Sequence, residues 1–250
     1  THPGGPAQIV KDGPLRDTSG DLPYLLKILT AGQALSLQTH PDAATAAEGF
    51  ARENAAGIAL DAPTRVYRDA HAKPELVCAL TQFDALCGFR PLAATDLLLR
   101  SIGARDLADH LREHGLQATV GALYRGQFDT AATIAACAAP DTPECRLVRD
   151  LAAQYPGDPS VVVTLLLNRV LLQPGEALFL GPGNLHAYLH GAGVEVMGAS
   201  DNVVRGGLTP KHVDVDELLR VLSYEPLADP IVRPVHVDEY RVRYPTPGAP

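Results

Sequence analysis

Between Ala93 and Leu167 the sequence reads as helices, and on either side of that stretch it reads as strands. Before it come "YLLKILTAGQALSLQTHP" and "PELVCALTQFDALCGFRP", apolar runs punctuated by Gly, Pro and Asp. Inside it, Thr95 and Asp96 open "DLLLRSIG", leucine recurs at helical spacing from Arg105 to Gly115, and "TAATIAACAAPDTPECRLVRDLAAQYPG" supplies two more amphipathic stretches. After it, "RVLLQPGEALFL" is two short β runs about the turn Gln173-Pro174-Gly175-Glu176. This order predicts an α+β, mainly β fold: residues 1–92 and 168–250 form one β domain, and residues 93–167 a helical insertion.

Smaller elements follow from local chemistry. The first 22 residues are rich in Gly, Pro and Asp and read as loop or irregular edge. Residues 24–40 read as a hairpin turning at Ala31-Gly32-Gln33. Asp42 caps an Ala-rich helix that runs to Asn54, and a further short helix starts at Asp214. Residues 160–167 stay open between a strand, favoured by the valines, and a helix, favoured by the start signal Asp158-Pro159-Ser160.

Bulk properties limit the function classes. A chain of 250 residues can bury a sizeable core, and its net charge of -8 comes without any run of Lys and Arg, which argues against nucleic-acid binding. An anionic ligand must then be met by a local cluster of positive charge. Cys78, Cys87, Cys137 and Cys145 contain no CxxC spacing and read as free thiols of a reducing cytoplasm. The longest aliphatic stretch, "VVVTLLL" at 161–167, is too short to span a bilayer. The sequence opens on Thr1 rather than methionine and finishes in the Pro/Gly-rich stretch Thr246 to Pro250, which reads as a fragment.

Three places carry polar side chains that a core would not ask for. In "LSLQTHPD", Ser36, Gln38 and His40 are two apart and share one face of a strand, where burial is costly unless something satisfies them. Glu75 opens the strand "ELVCALT" directly after Lys73-Pro74, and could add the carboxylate that a divalent cation prefers. His186, in "GPGNLHAYLHG", leads a strand from a tight turn. By contrast, His110 and His114 have helical spacing on a charged helix and read as exposed. The Gly-rich segment 195–211 holds Glu195, Asp201, Asn202, Arg205 and Lys211; with Lys73, the cations Arg205 and Lys211 could form the positive cluster an acidic protein needs for an anion.

Together, "LSLQTHPD", "KPELVCALTQFDALCGFRP", "PGEALFLGPGNLHAYLHG" and "SDNVVRGGLTPK" resemble the type I mannose-6-phosphate isomerase (phosphomannose isomerase) family, in order over about residues 35 to 225. The resemblance implies a cupin-like jelly-roll β domain interrupted by a helical insertion, one Zn2+ per chain, and interconversion of mannose 6-phosphate and fructose 6-phosphate. It places the zinc ligands on Gln38, His40, Glu75 and His186, and the family's active-site arginine on Arg205. Ser36 and Lys211 match phosphate-binding positions, while Lys73, Tyr188, Glu195 and Asp201 match residues lining the pocket. The family often has Asn-His before Lys-Pro-Glu where this chain has His71 and Ala72, and it normally has further N-terminal and C-terminal β regions.

Such a reaction moves a proton between C1 and C2 of the open-chain sugar. Lys73 is the expected carrier, because a neighbouring cation would favour its neutral amine; Glu195 and a metal-bound water are alternatives. The expected partner is a sugar phosphate, with no nucleic acid and no membrane, for a cytoplasmic monomer. Rival readings are an iron-dependent cupin oxygenase, in which Gln38 would be an unusual ligand, and a sugar-phosphate-binding module without turnover.

Overall fold

The computed structural model describes residues 8–9, 13–14 and 22–246; most of the stretch 1–22 and nearly all of the stretch 246–250, read above as irregular, lie outside the described residues. At the start, β1 (Gln8–Ile9) pairs with β2 (Gly13–Pro14). The body is a nearly closed antiparallel barrel, built from β3 (Tyr24–Ala31), β4 (Leu37–Thr39), β5 (Glu75–Ala79), β6 (Phe83–Phe89), β7 (Leu167–Leu172), β8 (Ala177–Leu180), β9 (His186–Gly198), β10 (Val204–Gly207) and β11 (Ile231–Val232). A last ribbon joins β12 (Val235–His236) to β13 (Val242–Arg243).

The long strand β9 serves both halves of the barrel. Its first residues pair with β4 through Gln38↔His186 and with β6 through Cys87↔His186. Its later residues pair with β3 through Lys27↔Glu195 and with β5 through Val77↔Glu195. Gly191, between the two sets, has φ +123°, and a Cβ there would lie 2.6 Å from the Gln82 carbonyl oxygen. Only glycine fits, and the inward positions change from even (His186, Tyr188) to odd (Glu195, Met197) across it.

Seven α-helices lie among the described residues: α1 (Ala43–Ala55), α2 (Leu92–Ser101), α3 (Arg105–Tyr124), α4 (Thr130–Ala136), α5 (Pro143–Gln154), α6 (Ser160–Val163) and α7 (Val215–Val221). Asp42 and Asp214 cap α1 and α7 by accepting from Thr45 N and Glu217 N, as their positions in the sequence suggest. Residues 160–166 are helical, the start signal winning over the propensity of three valines. Gly115, at φ +78°, breaks α3 immediately after His114.

The hairpin expected over 24–40 does not form. β3 pairs with β9, and β4 pairs with β9 and β10, because consecutive strands go to opposite halves of the barrel. One core, including Leu37, Leu86, Phe89, Leu123, Val148 and Leu166, runs from the sheet into helices α2 to α6. A second, around Val77, Phe83, Leu172 and Leu178, fills the barrel. All four cysteines are free thiols; Cys78 is half-buried and the others are buried. Among the described residues no helix is long and apolar enough to cross a membrane.

Candidate functional site

β4 delivers Gln38 and, just past its end, His40; β5 delivers Glu75; β9 delivers His186. The two histidines come from one half of the barrel and the carboxylate from the other, so closing the barrel brings them together. Donor atoms of His40, Glu75 and His186 all lie within 4.8 Å of one another, and the three residues are 1–2% exposed. His40 Nε2 is 3.2 Å from Glu75 Oε1, and His186 Nε2 is 3.5 Å from Glu75 Oε2.

The histidines face inward with their lone pairs. His40 Nδ1 is 2.8 Å from the Asn202 carbonyl oxygen, and His186 Nδ1 is 2.9 Å from that of Asn184. A carbonyl can only accept, so each Nδ1 carries the hydrogen and each Nε2 is left free to bind. His40 Nε2 and Glu75 Oε2 are buried without a hydrogen-bond partner. An orphaned base and an orphaned carboxylate oxygen buried in one cluster are costly unless a cation sits between them. Gln38 completes the set: its side-chain nitrogen is 3.5 Å from His186 Nε2, and turning the amide over presents its oxygen instead. Two imidazoles, a carboxylate and an amide oxygen suit a divalent ion of the borderline class.

Electrostatics agree. Burial would push the Glu75 carboxyl up, but the side chains of His186 and His40 beside it hold it well below the usual carboxylate range. Burial pushes His40 below its ordinary value, against the pull of Glu75, which keeps the ring neutral. Glu195 is raised, first by burial and then by the charge of Glu75.

A cavity of about 300 Å³ opens over the cluster, lined among others by Lys27, Ser36, Lys73, Tyr188 and Glu195. Lys73 Nζ lies 2.9 Å from Glu75 Oε1, and the Tyr188 hydroxyl donates to Glu195 Oε1 at 2.8 Å. Arg205 stands across the ladder from Gln38 and is half-buried, outside the cavity lining. Lys211 and Asp201 are exposed and outside the cavity lining; Asp201 N donates to Asp69 Oδ2. His71 is exposed, and His110 and His114 lie on α3 with ring centroids 4.5 Å apart.

Lys27 is the cavity residue that sequence reasoning missed. It alternates with Leu26 and Ile28, which are 63% and 78% exposed and face out, and the lysine lies on the cavity side. The signal was present as Leu25 and Leu29, half-buried and in phase with it.

Comparison with known proteins covers most of the chain. Residues 2–92 match the family model for the phosphomannose isomerase type I catalytic domain. The mannose-6-phosphate isomerase of Salmonella typhimurium is 41% identical over 217 residues, covering 83% of this chain and 56% of that protein. The chain thus spans little more than half the length of that relative. A crystal structure of a lysine-to-alanine mutant of the Salmonella typhimurium phosphomannose isomerase superposes with a TM-score of 0.89 at 36% identity, over 98% of this chain and 70% of that one. The Salmonella typhimurium mannose 6-phosphate isomerase bound to substrate (F6P) and zinc superposes with a TM-score of 0.82 at 38% identity, over 93% of this chain and 62% of that one. The likeness runs through both strand regions and the helices between them, rather than through the metal cluster alone, and so the chain belongs to the type I phosphomannose isomerase family.

Proposed function

We propose that this chain carries a zinc-dependent aldose-ketose isomerase site that interconverts mannose 6-phosphate and fructose 6-phosphate. The observation that supports it most is the buried His40, Glu75 and His186 cluster, with Nε2 and Oε2 unpartnered, under a cavity holding two lysines and a second carboxyl group. Gln38, His40, Glu75 and His186 would hold zinc, which when bound would stabilise negative charge developing on the sugar oxygens.

The remaining work falls to side chains. Lys73 Nζ takes the proton from one of C1 and C2 and returns it to the other. Glu195, raised by burial and held by the Tyr188 hydroxyl, supplies a proton to one of the two sugar oxygens O1 and O2 and takes one back from the other, ending as it began. Ser36 and Lys211 bind the phosphate, and Arg205, with no acidic partner among the described residues, offsets the charge of the sugar-phosphate.

A coupled assay for fructose 6-phosphate formed from mannose 6-phosphate tests this on the zinc-loaded chain, the chelated chain and His186→Ala. Turnover should vanish in the last two. A folded, zinc-bound chain that binds the sugar phosphate without turnover would sink the isomerase reading. In an active chain, Lys73→Met should lower kcat by about 10²-fold or more and, run in D2O, abolish deuterium uptake at C1 of the fructose 6-phosphate formed. Unchanged uptake would hand the proton to Glu195.

A further inference from the structure

The Arg205 side chain makes no hydrogen bond or ion pair among the described residues, so its aim depends on its backbone. That backbone is irregular. β10 pairs with β4 through Val204↔Thr39 and Arg205↔Gln38, but the next pair is Gly207↔Leu37, so Gly206 bulges from the ladder. Gly207 follows at φ +132° and Leu208 at φ 51°, the one non-glycine residue with positive φ among those described. A leucine there is strained and persists only where its surroundings impose it.

What imposes it comes from the helical insertion. Leu208 N donates to Asp158 Oδ2 at 2.8 Å and to Ser160 Oγ at 3.2 Å. The other oxygen of Asp158 accepts from Ser160 N at 2.9 Å, tying the start of α6 to the bend. Tyr124, the last residue of α3, donates its hydroxyl to the Gly206 carbonyl oxygen at 2.5 Å. The fit is close: a Cβ on Gly207 would lie 2.1 Å from Ser160 Oγ. Ser160 is fully buried, which holds its hydroxyl in place.

We infer that Asp158, with Ser160 and Tyr124, is a positioning residue: the insertion clamps the Gly206 to Leu208 bend and thereby aims Arg205 at the sugar-phosphate site. This rests on the role proposed for Arg205 above. Burial and the neighbouring Arg68 both disfavour charge on Arg205, so its guanidinium would turn toward solvent if its strand were released.

The test has two arms, run on zinc-loaded protein with equal metal content. The first needs no turnover: amide exchange at Leu208 and the Nε resonance of Arg205 are compared between wild type, Asp158→Asn, Asp158→Ala and Ser160→Ala. Asp158→Ala should speed Leu208 exchange about tenfold or more and shift the Arg205 resonance, while Asp158→Asn, which keeps one acceptor but sets an NH2 against the other N–H, falls between wild type and Asp158→Ala. Ser160→Ala, which removes one of the two acceptors, gives an intermediate effect and stands in where Asp158→Ala does not fold. The second arm is a cycle in kcat and KM. Asp158→Ala and Tyr124→Phe should reproduce part of the loss caused by Arg205→Ala and add nothing to it in the double variants. An unshifted Arg205 resonance, or losses that multiply fully in the doubles, would overturn the proposal. A wild-type chain without turnover would instead overturn the isomerase reading, and the first arm would still decide the clamp.

Discussion

Each histidine of the cluster is oriented by a backbone carbonyl, and for His40 that carbonyl belongs to Asn202, itself fully buried. The Asn202 side chain accepts from Arg68 N at 2.7 Å and donates to the Asp69 and His71 carbonyl oxygens at 2.9 Å each. Replacing it by alanine leaves these groups unpaired and loosens the carbonyl behind His40. Asn202→Ala should cost about 2–4 kcal/mol in denaturant unfolding. It should also weaken zinc binding about tenfold or more in a competition titration. At this scale the sequence was informative where two polar residues fell in strand phase, as Gln38 and His40 do. Lys27 escaped because a pattern of apolar and charged residues says which side chains differ, not which side faces inward, and on β3 apolar residues lie on both sides.

Elements were easier to place than to pair. The caps Asp42 and Asp214, the turn after Gln173 and the helical run after Leu92 each depend on neighbours in sequence, and all are in the structure. Pairing depends on distant residues: β7 and β8 flank a good turn, yet β7 pairs with β6 and β8 with β5. Nothing in a turn specifies which half of a barrel its second strand will join. Nor does sequence phase reveal Gly191, where β9 shifts its inward face. Gly191→Ala must accept a positive φ and a Cβ 2.6 Å from the Gln82 carbonyl oxygen. It should destabilise the chain by roughly 2–4 kcal/mol and, by displacing Glu195 relative to His186, lower kcat more than it lowers the melting temperature of Gly175→Ala controls would predict. Thermal melts and the coupled assay check this.

Across the whole molecule, a further buried carboxylate ties two helices to the segment that leads into β5. Glu217 on α7 accepts from the Tyr67 hydroxyl and from Arg220, and pairs with Arg52 of α1 at 3.0 Å. Burial would raise its carboxyl, but Arg220 and Tyr67 hold it below its ordinary 4.5. A carboxylate lowered by folding contributes stability above its unfolded value and loses it as the pH falls through the folded one. The urea midpoint should therefore hold near neutrality and fall as the pH drops below about 4.5, and Glu217→Gln should flatten that fall. Helical periodicity showed that the insertion has an apolar face; it could not show that this face continues the barrel core, because periodicity names no partner.

The insertion leaves the barrel after Phe89 and returns at Leu167, and these two residues are paired with each other across the β6 and β7 ladder. To the barrel, all the helices between them amount to one closed loop. Doubling the length of such a loop adds only about 0.6 kcal/mol of closure entropy. Closure entropy would therefore let this excursion drift in length, within the limit set by the apolar core that its helices share with the sheet. The places that resist such drift are the ends that reach the bend after Arg205: Tyr124, Asp158 and Ser160.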